Sequence, residues 1–77
     1  MNMTVPNWKP LERLHKTSPL IFDIGDFMWM HSYNSIECYK HRITRHYLNI
    51  DNNGSCWRYV NGEYYGIPQD IAIASIS

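Results

Sequence analysis

Residues 44–66 read TRHYLNIDNNGSCWRYVNGEYYG, and the fold turns on this stretch. Aromatic and β-branched residues alternate here with polar ones, and two dipeptides, Asn53-Gly54 and Asn61-Gly62, interrupt the run. Asn and Gly accept positive φ more readily than other residues, so Asn-Gly between apolar stretches signals a two-residue type I′ hairpin turn. Such a turn sets its flanking residues directly opposite one another and therefore fixes a register. Asn61-Gly62 pairs Val60 with Glu63, Tyr59 with Tyr64 and Arg58 with Tyr65. Asn53-Gly54 pairs Ser55 with Asn52, Trp57 with Ile50, Arg58 with Asn49 and Tyr59 with Leu48. Opposed residues share a face. One face is thus expected to hold Leu48, Ile50, Trp57, Tyr59 and Tyr64, and the other Tyr47, Asn49, Arg58, Glu63 and Tyr65.

Working outward, the same residue types predict strands over 27–31, 36–40, 44–50, 56–60 and 63–66. The connection after residue 40 contains no glycine. A three-residue link, His41-Arg42-Ile43, opposes Cys38 to His46 and Ile36 to Leu48, keeping both on the greasy face and sending Glu37 and Tyr39 to join Arg45 and Tyr47. A shorter turn would bury Glu37, which is costly for a carboxylate.

The first third is punctuated by Pro6, Pro10 and Pro19, and only the stretch from Pro10 to His15 has helical character, with Leu11 and Leu14 on one side and Trp8 as a further anchor. At the other end Pro68 opens a segment whose Ala72, Ile73 and Ile76 form a helical stripe over the greasy face. A sixth strand with Ile71 and Ile73 on one side is the alternative for this tail. The expected protein is therefore a single small α+β domain over 1–77. An irregular arm with one short helix occupies 1–26, an antiparallel meander of four or five strands 27–67, and a short helix packed on one face 68–77.

Composition limits what such a domain can do. Its 77 residues leave room for one modest core, of which 44% of the chain is hydrophobic and 14% aromatic. Seven Lys and Arg balance seven Asp and Glu, so any attraction to a phosphate backbone or an anionic membrane must come from a local patch. No apolar run is long enough to span a bilayer and the start lacks the order of a signal peptide, so a cytoplasmic location is expected. Cys38 and Cys56 have no CxxC spacing and are expected to be reduced thiols, and the histidines His31, His41 and His46 lack metal-ligand spacing. No serine elbow or phosphate-cradling glycine loop occurs. No cofactor, metal or catalytic residue is expected, and the chain does not read as an enzyme.

The chemistry left over lies on the second sheet face. Tyr39, Arg45, Tyr47, Arg58 and Tyr65 are the expected partner-binding residues, because Tyr and Arg combine rigid area with planar donors. A protein-interaction module, or a homodimer, is the first reading of that face. Single-stranded nucleic acid or RNA is the second, with bases on Tyr and phosphates on Arg45, Arg58, Arg42 and Lys40. A small RNA-cleaving toxin-like protein using His41, His46 and Arg45 is the third.

Overall fold

A computed structural model describes residues 5–17 and 22–76. The chain is an α+β protein in which a five-stranded antiparallel meander is flanked by an N-terminal and a C-terminal helix. The strands are β1 (Phe27–Tyr33), β2 (Ile36–His41), β3 (Tyr47–Asp51), β4 (Cys56–Val60) and β5 (Glu63–Ile67), hydrogen-bonded in sequence order. Helix α1 (Lys9–Thr17) precedes them, followed by a single 3₁₀ turn at Ile24–Asp26, and α2 (Gln69–Ala74) comes after them. The tail is thus a helix and not a sixth strand. Residues 1–4 and 18–21 of the expected arm, Pro19 among them, and Ser77 lie outside the described residues. Among the described residues no helix is long and apolar enough to cross a membrane.

One hairpin follows its dipeptide as expected. Asn61 (φ 50°) and Gly62 (φ 86°) are both left-handed, the type I′ signature, and Val60–Glu63, Tyr59–Tyr64 and Arg58–Tyr65 face one another. The other two connections overturn the expected register. At Asn53-Gly54 only the glycine is left-handed, at φ 85°. Asp51 pairs with Ser55 across a three-residue loop, and its Oδ1 accepts from the backbone N–H of both Asn53 and Ser55 at 2.9 Å. This Asx turn draws residue 52 into the loop and slides β4 by one residue, so that Trp57 opposes Asn49 and Cys56 opposes Ile50.

Between β2 and β3 the link is four residues, 42–45, and the pairing is Cys38 with Asn49 and Tyr39 with Leu48 rather than Cys38 with His46. Arg45 takes the left-handed position that a glycine would ordinarily fill (φ 68°). The side chain of His41 makes this possible: its Nδ1 accepts from the N–H groups of Ile43 and Thr44 at 3.1 and 3.2 Å, while the His41 N–H donates to the His46 carbonyl at 2.8 Å.

Both shifts reverse parity, so β3 keeps its expected inward residues while its neighbours on either side are turned over. The helix-covered core contains Phe27, Tyr39, Leu48, Ile50 and Cys56, with Leu11 and Leu14 from α1 and Ala72, Ile73 and Ile76 from the C-terminal segment. Trp57, Tyr59 and Tyr64, expected in that core, stand on the opposite face, and Glu37 takes a buried place on the core side at 5% exposure. Its desolvation is offset by hydrogen bonds from Trp29 Nε1 at 2.7 Å and Ser32 Oγ. A bulge at Met30 brings Trp29 and Ser32 onto the Glu37 side, because the register slips by one residue between Trp29 and His31.

Candidate functional site

The face away from the helices is concave. Tyr64 of β5 reaches across to β2 and β1: its hydroxyl lies 3.4 Å from Cys38 Sγ, and its ring stacks on Tyr33 with centroids 5.4 Å apart. Tyr59 leans on the same ring at 4.9 Å. Side chains from strands that are not neighbours in the sheet can meet only if the sheet curls around them.

The curl is accompanied by a break. β3 stays paired with β2 as far as Lys40–Tyr47, and β4 stays paired with β5 to its end, but the β3–β4 ladder stops at Asn49–Trp57. Tyr47 and Leu48 on one side and Arg58, Tyr59 and Val60 on the other therefore diverge, leaving a fork backed by Ala72 of α2 and by Ser75, which follows that helix. The resulting cleft has a volume of about 830 Å³, within the size range of ligand-binding clefts.

Its wall is aromatic, formed by Tyr33, Tyr47, Trp57, Tyr59 and Tyr64, and its basic groups are Arg45, Arg58, His31 and His46. None of the described residues lining it is an Asp or Glu, although the whole chain is charge-balanced. Arg58 is held by a hydrogen bond from Nη2 to Ser75 Oγ at 3.1 Å, and Trp57 by one from Nε1 to Asp51 Oδ2 at 3.1 Å. The Asx turn that shifted the register thus also fixes the indole. Beside the cleft, Lys40 Nζ lies 5.7 Å from the centre of the Tyr47 ring.

The five residues read from sequence as one surface are not brought together. Arg45 and Tyr47 line the cleft, and so does Arg58, which shares the helix-side face with its strand partner Tyr65 and reaches the cleft at the fork beside Ser75. Tyr39 is completely buried in the core, stacked on Trp8 at 5.4 Å and donating to the Asn7 carbonyl at 2.6 Å. Tyr65 is half-exposed on the helix-side face, donating to Glu63 Oε2 at 2.7 Å. Asn49, expected on the Tyr47 face, also lines the cleft, and Tyr33, Trp57, Tyr59 and Tyr64 are cleft residues that were expected elsewhere or not singled out. A usable signal was present: a chain of this length with six tyrosines and three tryptophans has more aromatic side chains than so small a core can enclose.

Both cysteines are buried free thiols. Burial raises the pKa of the Cys38 thiol, against a smaller lowering by the Tyr64 hydrogen bond. Burial, helped by the nearby charge of Asp51, pushes Cys56 from 9.0 up to about 11. Burial and the Cys38 contact raise Tyr64 as well. Thiols held in the protonated form are poor nucleophiles. Among the described residues no group of three His, Cys, Asp or Glu side chains is placed to hold a metal ion.

These shifts make stability depend on alkali. A thiol with a raised folded-state pKa favours the fold fully below its unfolded pKa, and that contribution is lost as pH rises toward the folded value. For Cys56 the window runs from about pH 9 to about 11 and the loss is about 2–3 kcal/mol. Burial raises Tyr39 too, which adds in the same direction. The urea midpoint should be flat between pH 7 and 8 and fall steeply above about pH 9; a midpoint that holds to about pH 11 would contradict the buried thiol.

No protein family matches the chain, and no curated protein or solved structure matches it either.

Proposed function

We propose that the cleft binds single-stranded nucleic acid. The observation that carries this reading is the cleft's lining: in a chain with seven basic and seven acidic residues, the described residues of one aromatic cleft include two arginines and two histidines and no carboxylate, and the adjoining Asp51 carboxylate is engaged by Trp57 Nε1 at 3.1 Å. Bases stack on flat aromatic faces without regard to sequence, and phosphates seek arginine, so a strand satisfies both halves of the lining. Tyr33, Tyr59 and Tyr47 are 54%, 57% and 42% exposed, which leaves ring area free for stacking.

Titration of the protein into a fluorescently labelled single-stranded oligonucleotide, followed by anisotropy, tests this. Two arginine–phosphate contacts predict a slope of log affinity against log salt of about −1.4, from two contacts at about −0.7 each. Absence of binding at micromolar protein in low salt would end the reading.

A protein partner, or a second copy of the chain, is the other reading, favoured by a different surface. On the β4–β5 hairpin Val60 and Tyr65 remain 40% and 49% exposed on the helix-side face, and Ile71 of α2 is 45% exposed. Light scattering at rising concentration separates the two, since self-association through that surface raises the mass without added oligonucleotide and leaves the cleft free.

A further inference from the structure

The residues after α2 clasp the two prongs of the fork. Ser75 Oγ donates to the Ile71 carbonyl at 2.7 Å and therefore accepts from Arg58 Nη2, on the β4 prong, at 3.1 Å. One residue on, the Ile76 carbonyl accepts from Thr44 Oγ1, in the link that leads into β3, at 2.8 Å. Arg45 follows Thr44, and both arginines line the cleft together with Ser75. The clasp thus brings one arginine from each prong to the same end of the cleft. A hydroxyl orients Arg58 without neutralising it, and no carboxylate occurs among the described residues that line the cleft. Tyr33 belongs to the other end, since it pairs with Ile36 at the start of β2, and there the Tyr64 ring stacks on it and bridges β5 to β1.

The cleft is therefore basic at one end and aromatic at the other. Ala72 and Ser75 back it and the Tyr33–Tyr64 stack bridges it, which gives it the form of a slot and not of an open track. Its volume of about 830 Å³ is on the scale of a drug-sized ligand such as a nucleotide. We propose that this slot receives the end of a single strand, with a terminal phosphate monoester between Arg45 and Arg58 and the terminal base toward the tyrosine wall. The inference rests on the single-strand reading and specifies which part of the strand enters. A phosphate monoester carries a charge of about −1.5 to −2 at neutral pH and three acceptor oxygens, whereas each phosphate inside a strand carries one charge. Two guanidinium groups without carboxylate partners match the monoester better, because each presents paired N–H donors to its oxygens.

Four forms of oligo(U) of one length provide the comparison: linear with a 5′-phosphate, linear with a 3′-phosphate, linear with neither, and a closed circle that has no end. The wild type is expected to bind one of the phosphorylated strands about ten-fold more tightly than the unphosphorylated strand, and the circle more weakly still. The two phosphorylated arms show which end enters. Arg58→Gln should bring the preferred phosphorylated strand down to the level of the unphosphorylated one. Arg45→Gln should do the same and covers the case in which the first variant does not fold; both side chains are exposed, outside the core. Equal binding of strands with and without the phosphate, a circle that binds as tightly as the phosphorylated strands, or a phosphate preference that survives both substitutions overturns the strand-end site while leaving the binding cleft in place. Failure of the wild type to bind any of the four overturns both.

Discussion

Tyr39→Ala is expected to unfold the domain. The ring is completely buried on β2, paired with Leu48 on one side and Trp29 on the other, and covered by the Trp8 ring at 5.4 Å. Its hydroxyl ties down the arm that carries α1 through the Asn7 carbonyl at 2.6 Å. Emptying a buried aromatic site costs about 3–5 kcal/mol. A chain of this size has a net stability of about 3–5 kcal/mol, so the loss consumes most or all of it. Loss of near-UV dichroism and of amide dispersion in the NMR spectrum would report it. Tyr39→Phe removes only the hydrogen bond, at a cost of about 1 kcal/mol, and should remain folded with a lower melting temperature. An alanine variant that melts cooperatively near the wild-type temperature would show that Tyr39 does not anchor the arm.

The second large effect is on binding. Replacing Tyr33 and Tyr59 together by alanine removes two exposed rings that flank Tyr64 on the cleft wall. Each stacked base is worth about 1–3 kcal/mol by alanine substitution. Because both rings contact Tyr64, the two losses are coupled, and the lower half of the combined range, about 2–4 kcal/mol, is the expectation. Oligonucleotide affinity should therefore fall about 30-fold or more, while the fold survives, since neither ring belongs to the buried core. Unchanged affinity in the folded double variant would remove the tyrosine wall from the binding surface.

How far this structure was readable in the sequence depends on what closes each turn. At Asn61-Gly62 the backbone preference of two adjacent residues suffices, and the register follows it. At Asn53-Gly54 the same dipeptide is present, but Asp51 two residues earlier accepts two backbone N–H groups and captures the loop. At 42–45 a histidine ring does the work of a glycine. In both of these cases a side chain's hydrogen bonds to the backbone decide, and an odd-numbered shift in register sends every residue of a strand to the other face.

The strands, both helices and the inward Leu48 and Ile50 depend on local pattern and survive those slips, whereas Ile36 and Cys38, expected beside Leu48, turn to the other face. The site does not survive them, because it is defined by which strand faces match. The turn-derived register puts Trp57, Tyr59 and Tyr64 in the core, and their greasiness raises no objection to that placement, although a tyrosine is equally at home on a wet wall with its hydroxyl free. Arg45 and Tyr47 were recognised for their chemistry and do line the cleft, although through a turn and a register different from those expected. Asn49, expected on the Tyr47 face, is found there because β3 keeps its parity.

The most direct measurement is amide chemical-shift mapping of the labelled protein during titration with oligo(U). Shifts should gather at Tyr47, Asn49, Trp57, Tyr59 and Tyr64, around the fork, with Glu63, Tyr65 and Ile71 on the far side nearly still. Shifts centred on Tyr65 and Ile71, with the fork undisturbed, would place the binding surface on the opposite face and contradict the cleft.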